Sequence, residues 1–339
     1  MKLFYKMTKQ TNQKLKTKQM VTAFYVGMVI AVFVGLMIAL YFKNDDIYDD
    51  AALQVDDQDI VAIIEEYQSE DAARKGITLD SITSALPSTQ KPAWKKFAVR
   101  PEPTISPKVV VIIDDLGLDE QATQLLVSMP GPYTLAFLPY AENLPSQTAR
   151  VKKAGHELMV HLPMQSHRTT ADPGTNALLK NLSFDEFGQR MEWNLSQFEG
   201  FVGVNNHMGS MLTEDPALMV RLMARLRHDG LLFVDSLTTP KSVGERAAKA
   251  INVPFLSRDV FLDNERNQTY IQRQLATVER IAKLRGYAVA IGHPYPETLA
   301  ALTKWQKSLD FKGMRLVPVS QIMAEKIDKS TLTALEETN

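Results

Sequence analysis

Six short apolar runs in this chain each end on a residue able to bind a metal or move a proton. VVVII is followed by Asp114 and Asp115, LMV by His161, and VGV by Asn205, Asn206 and His207. LLFV is followed by Asp235 and Ser236, PFL by Ser257, Arg258 and Asp259, and AVAIG by His293. Adjacent carboxylates repel unless a cation or hydrogen-bond donors hold them, so Asp114-Asp115 calls for one or the other. One Asp with two His forms an open ligand set for zinc, iron, manganese or cobalt and leaves room for water. A metal acidifies that water. A second carboxylate beside it would serve as general base, and a separate His would protonate a leaving group. Together these residues read as metal-assisted hydrolysis. Each also has a plainer reading: a helix N-cap for one aspartate, hydrogen-bonded or turn histidines at 161, 207 and 293, an internal ion-pair lattice for Asp235 and Arg258-Asp259. His156 and His167 flank the third run and are open either way. His228, in an Arg-His-Asp helix end, reads as structural.

For these residues to meet, the runs must be strands that all point the same way. The runs are Val109–Ile113, Thr134–Leu138, Leu158–Val160, Val202–Val204, Leu231–Val234, Pro254–Leu256, Ala288–Ile291 and Arg315–Val317. Continuous apolar runs suit strands buried on both faces. Helix signals fall between them. Ser183 with Glu186, and Ser242 with Glu245, match capping boxes. The stretch after Thr213 stops at Gly230, and Asn267 to Arg285 stops at Gly286. The alternation predicts an α/β domain over residues 108–327 with parallel strands, a (β/α)7–8 barrel, distorted in form. In such folds the active site gathers at the C-terminal strand ends, which is the phase the polar residues keep. An open doubly wound sheet is the alternative, but Asp114-Asp115-Leu116-Gly117-Leu118 is not its Gly-rich phosphate turn.

The chain has 339 residues, 38 Lys+Arg against 39 Asp+Glu, and no cysteine. Thiolate zinc sites, disulfide scaffolds and cysteine nucleophiles are therefore excluded, and any metal must take oxygen and nitrogen ligands. The near-zero charge argues against nucleic acid as a partner. Charge is nonetheless sorted along the sequence. Met20 to Phe42 is a run of 23 residues without a charge, preceded by six lysines and followed by Lys43 and then seven aspartates before position 60. A helix of about 20 apolar residues spans a bilayer core, and lysine marks the cytoplasmic side. The expected order is a basic cytoplasmic tail (1–19), a single-pass signal anchor in the inner membrane (20–42), an acidic then Pro-rich linker (43–107), an exported, periplasmic domain (108–327) and a flexible tail (328–339).

The stretches VVVIIDDLG, AGHELMVHLPMQ, VGVNNHMGS, LLFVDS and AVAIGHPYPET resemble the divergent polysaccharide deacetylases of bacteria, over about residues 107 to 325. The resemblance implies a distorted barrel, a divalent metal and removal of N-acetyl groups from a glycan. It implies Asp114 as the base, Asp115 and His161 as metal ligands, and His293 as the general acid. Asp235 and Arg258 correspond to orienting positions. The wider superfamily has a second ligand His four residues after the first, and here that place is Gln165. His207, at the next strand end, is the substitute ligand expected from its position, not from the resemblance. Gln165, Asn206, Asp235, Arg258 and Asp259 are expected around the substrate, and zinc is the expected metal. The leading expectation is a membrane-anchored deacetylase of an envelope polysaccharide such as peptidoglycan. A catalytically retired barrel that binds glycan or acts as a scaffold is the alternative raised by Gln165. A glycosidase would instead need Asp114 paired with Asp235 or Asp259 at roughly 5–9 Å.

Overall fold

A computed structural model describes residues 58–59, 61–66 and 91–337, all within one compact unit, Val55–Asn339. The expected span at 20–42 lies outside the described residues. Among those described, no helix is long and apolar enough to cross a membrane.

In chain order the elements are α1 (Ala93–Lys96), β1 (Lys108–Leu116), α2 (Glu120–Ser128), β2 (Thr134–Phe137), α3 (Leu144–Lys153) and β3 (Glu157–Met164). Then come α4 (Phe184–Leu195), β4 (Gly203–Met208), α5 (Pro216–Asp229), β5 (Leu232–Asp235), α6 (Gly244–Ile251) and β6 (Phe255–Ser257). The chain ends with β7 (Val260–Phe261), α7 (Gln268–Arg285), β8 (Tyr287–Gly292), α8 (Pro296–Gln306), β9 (Arg315–Leu316) and α9 (Val319–Glu337). All paired strands are parallel, in the order β6-β5-β4-β3-β2-β1-β8-β7, with β9 beside the start of β1. This is a parallel half-barrel consistent with a (β/α) barrel. Its two edges, β6 and β7, are consecutive in sequence and joined only by Arg258-Asp259, with no helix to close the gap.

Alternation along each strand sorts side chains into two layers. Val109, Val111 and Ile113 face outward into the large core shared with the helices. Val110 and Ile112 face inward, with Ala136, Met159, Val202, Leu232, Val234, Leu256, Val289 and Ile291. Both layers are dry, which is why the strands read as unbroken apolar runs.

The helices begin and end largely where the sequence signals them. Ser183 and Glu186 form a reciprocal capping box on α4. Gly230 and Gly286 end α5 and α7 in the left-handed conformation. The second expected box does not form. Ser242 gives its hydroxyl to Asp235 and accepts from Gly244 N, so α6 starts without a side-chain cap.

The inner layer is closed below by α9, through Val319, Ile322 and Met323, and by Trp94 of α1, which is 3% exposed. The Trp94 amide also donates to Gly230 O at 3.0 Å, just before β5. Within the Pro-rich stretch, Trp94 is therefore packed against the barrel, while Ile105 further along is exposed.

Candidate active site

The inward parity of the strands carries on past their C-terminal ends and decides which polar residues meet. Asp114 follows Ile112, His161 follows Met159, and His293 follows Ile291, each two residues on and on the same face. On β4, Val204 belongs to the outer core, so Asn205 and His207 point inward and Asn206 points away.

Asp115 breaks this rule. By parity it should face the helices. The pairing of β1 with β2 shifts between Ile113 and Leu116, and Asp115 has φ 55°. The bulge turns its carboxylate into the mouth beside that of Asp114. Bulges re-aim side chains in this way, and Asp tolerates the left-handed region better than most residues.

The result is a tight triangle of ligand atoms. Asp115 Oδ1 lies 2.9 Å from His207 Nδ1 and 3.2 Å from His161 Nε2, and the two ring nitrogens are 3.1 Å apart. Ligands bound at about 2.1 Å to a single ion sit roughly 3.0 Å apart in an octahedron and about 3.4 Å apart in a tetrahedron. Asp115 Oδ1 is buried and no aligned hydrogen-bond donor satisfies it. A cation fits both facts, and these three residues are the group among those described that could hold one.

Charge at the site is arranged accordingly. Burial pushes the Asp114 carboxyl up, against the pull of His161, His293 and the Asn205 amide. Burial would raise Asp115 too, but His161 and His207 outweigh it and hold this carboxyl far below the usual range. Burial would lower His161, yet Asp114 and Asp115 raise it overall. The mouth thus attracts positive charge, and a metal would have to displace protons to enter.

The remaining inward residues support the cluster. Asn205 accepts from His161 Nδ1 at 3.0 Å and donates to Asp114 Oδ1 at 2.8 Å. His293 Nε2 lies 3.7 Å from Asp115 Oδ2. Its Nδ1 is 3.0 Å from Asp263 Oδ1, and its backbone N–H donates to Asp263 Oδ2. Burial would lower His293, but the hydrogen bond and charge of Asp263 raise it. The ring packs against Phe261 and Tyr295, with centroids at 5.4 and 5.3 Å, and Arg258 and Arg266 lie over those two rings in turn.

Several residues expected here are placed elsewhere, for reasons of parity. Asp235 shares the outward face of Phe233 and serves the β5–α6 loop, accepting from Leu237 N and Ser242. Ser236, its neighbour, points inward and lies 3.3 Å from Asn205. Asn206 faces out and pins strand ends through Ser236 N and Met208 O. Asp259 sits at the start of β7, not at its end, bound to Arg285 and Val289 N. The glycosidase pairings of Asp114 with Asp235 or Asp259 are therefore not formed. Arg258 reaches the mouth but spends its guanidinium on the carbonyls of Ser236 and Leu237.

Gln165 ties the following loop. Its Oε1 accepts from Lys180 N at 2.6 Å, and its carbonyl accepts from Met211 and Leu212. His167 binds Glu214 across the rim, His156 accepts from Tyr133 N in the core, and His228 pairs with Asp229 on the surface.

Asn205, noted at its strand end but given no role, and Asp263 are the residues at the mouth that the sequence did not single out. VFL before Asp263 is an apolar run with an acid after it, the same signal that marked the other strand ends.

With this geometry in hand, comparison with known proteins is decisive. A family model described as divergent polysaccharide deacetylase matches residues 111–323. The chain belongs to that family. It is 30% identical over 230 residues to the uncharacterized protein YibQ of Escherichia coli, covering 68% of this chain and 72% of that one. It is 33% identical over 204 residues to an uncharacterized protein of Haemophilus influenzae, covering 60% and 72%. Among solved structures, it is similar to the uncharacterized protein ATU2773 of Agrobacterium tumefaciens, with 25% identity and a TM-score of 0.66, covering 69% of this chain and 99% of that one.

Proposed function

We propose that this member of the divergent polysaccharide deacetylases is a metal-dependent hydrolase that removes N-acetyl groups from an envelope polysaccharide such as peptidoglycan. The observation that carries the reading is the triangle of Asp115, His161 and His207 beside a second buried carboxylate and a carboxylate-backed histidine. The uncharged run at 20–42 would anchor the domain on the outer side of the cytoplasmic membrane, with the lysine-rich end inside.

Asp115, His161 and His207 would hold the cation, and zinc fits this oxygen–nitrogen set. When bound, such an ion polarises an amide carbonyl and acidifies water. The chain's own groups then divide the proton work. Asp114 is 2% exposed, and its Oδ2 is not engaged by Asn205, so this oxygen takes the proton of the attacking water. His293, whose hold on its proton is strengthened by Asp263, presents Nε2 to the mouth. Its Nε2 proton goes to the nitrogen of the departing amine, while the water proton stays on Asp114. Asp263 fixes the ring through Nδ1 and keeps the acid proton on the side of the substrate.

A second reading is a retired barrel that binds glycan as a scaffold. Its support is Gln165, whose amide oxygen is committed to the loop where the wider superfamily has a ligand. Acetate release from N-acetylated glycan by the full-length protein, with and without chelator, separates the two. The deacetylase predicts metal-dependent release and a loss of about 10²- to 10⁴-fold in Asp114→Asn with metal retained. Glycan binding that survives chelation, with no acetate released, supports the scaffold.

A further inference from the structure

We propose that Asn205 is the positioning residue that makes His161 a competent ligand and orients the Asp114 carboxyl beside it, through the fixed polarity of one buried amide. This deepens the metal-hydrolase reading above and rests on it. Asn205 is fully buried. It stands directly beside His161 in the β3–β4 register and points into the same inner space. Its Oδ1 lies 3.0 Å from His161 Nδ1. Its Nδ2 crosses the mouth to Asp114 Oδ1 on β1, at 2.8 Å, and also meets Ser236 Oγ on the end of β5, at 3.3 Å. One side chain thus ties together four strands of the sheet.

The chemistry follows from what an amide can offer. Its oxygen only accepts and its nitrogen only donates. An acceptor against Nδ1 requires the proton on Nδ1, which leaves the lone pair on Nε2. That is the atom facing Asp115 and His207 in the triangle. A donor against Asp114 Oδ1 requires that oxygen to be an acceptor, which leaves Oδ2 free and 3.6 Å from His161 Nε2. Rotating the amide by half a turn would set oxygen against carboxylate and nitrogen against Nδ1. His161 could then satisfy it only with the proton on Nε2, where the ring cannot ligate. The two bonds therefore stand or fall together, and only one setting suits a metal centre. Asn206 cannot substitute, because it faces the outer layer and is engaged by Ser236 N and Met208 O.

The test separates the two halves of the amide. The chain has no cysteine and six histidines, which simplifies both metal titration and histidine spectroscopy. In the full-length protein with ¹⁵N-labelled histidine, at a pH high enough to leave the ring neutral, ring correlations of metal-free His161, assigned by difference with His161→Gln, should show the proton on Nδ1. Asn205→Ala should shift the ring toward the Nε2–H form and weaken zinc or cobalt binding by about 10- to 100-fold. Asn205→Asp keeps an acceptor on Nδ1, so it should retain metal affinity within about threefold of the parent, in line with the usual carboxylate–histidine support. It places a carboxylate against Asp114, however, and should lose acetate release even at saturating metal. The proposal is overturned if Asn205→Ala leaves both the tautomer and the metal affinity unchanged. It is equally overturned if the Ala and Asp variants lose metal alike with the same fall in melting temperature, since that is merely structural. If the parent releases no acetate under any condition, the deacetylase reading fails, while the tautomer and the metal titrations still decide the role of Asn205.

Discussion

The two ends of this barrel both bury carboxylates, and they treat them in opposite ways. At the base, Glu157 opens β3 with 1% exposure. Its oxygens accept from Ser320 N and Ser320 Oγ at the start of α9, from Thr134 Oγ1, and from Val99 N. Every donor comes from the protein, and the group ties together β2, β3, α9 and the segment after α1. At the mouth, Asp114 and Asp115 have fewer donors than lone pairs, and Asp115 Oδ1 has no aligned hydrogen bond at all. The mouth also holds backbone in unusual settings, with positive φ at Asp115, Met208 and Leu237, three non-glycine residues at strand ends. Burial by itself therefore says little about function. A buried carboxylate with a full set of protein donors is a structural joint, and one left short of donors next to imidazoles is a candidate ligand for a cation.

The sharpest way to break this contrast is to remove the unsatisfied carboxylate. Asp115→Ala takes the one anionic corner from the ligand triangle, and the bulge at 114–115 loses the group it presents. Stoichiometric metal should be lost from the purified protein by elemental analysis, and acetate release should fall to background. The barrel should be retained by circular dichroism, since Asp115 is a member of neither apolar core. Metal retained at full occupancy in Asp115→Ala would mean that the triangle is not the site.

A smaller effect is expected one step further out, at Asp263. It touches the cluster only through His293 and is itself held by Thr298 Oγ1 at 2.7 Å. Asp263→Asn should leave metal occupancy intact and lower kcat by about 10²-fold, less than His293→Gln, which removes the acid itself. Because the carboxylate raises His293, the variant's acid should also lose its proton at lower pH, moving the alkaline limb of the rate profile down. An unchanged alkaline limb would place the proton donor elsewhere.

These residues also show how far the sequence could be read. The strands were legible because both faces of each are buried, so unbroken runs of Val, Ile and Leu give them away. The strand ends were legible because polar residues follow those runs in phase, which led to Asp114, His161, His207 and His293. Alternation beyond the runs was the missing ingredient. Counted from Val204 on β4 and Val234 on β5, it selects Asn205 over Asn206 and Ser236 over Asp235, because each pair differs by one residue and hence by one face. It would have excluded Asp115, which only the bulge brings in, and no local pattern announces that bulge. Asp263 follows VFL, a run as short as LMV or PFL, and Asp259 at the other end of that run drew attention instead. Trp94 lay in a proline-rich stretch that looks extended from sequence, and its burial depends on a socket built by distant strands.

The base offers the smallest and most distinctive prediction, because there the carboxylate is 1% exposed and each oxygen has protein donors. Burial pushes the Glu157 carboxyl up to about 7, against the hydrogen bonds of Ser320, Val99 and Thr134, from an ordinary value of 4.5. The folded state therefore holds this proton more tightly than the unfolded chain does. The stability linked to it is fully present below about pH 4.5, declines as pH rises toward 7, and is gone above that, a change of up to about 3 kcal/mol. Urea unfolding of the full-length protein at pH 5 and pH 8 measures it. Glu157→Gln carries no titrating proton and should be less stable than the parent at pH 5, where Ser320 and Val99 meet an amide in place of an acid. It should lose less stability than the parent between the two pH values, and the difference between the slopes belongs to this one residue. Catalysis at saturating metal should not change, since Glu157 opens β3 while His161 sits four residues on, beyond the apolar inner layer. A parent and variant with parallel pH profiles would show that Glu157 is ionised in the folded state throughout, and that the four donors of the base outweigh its burial.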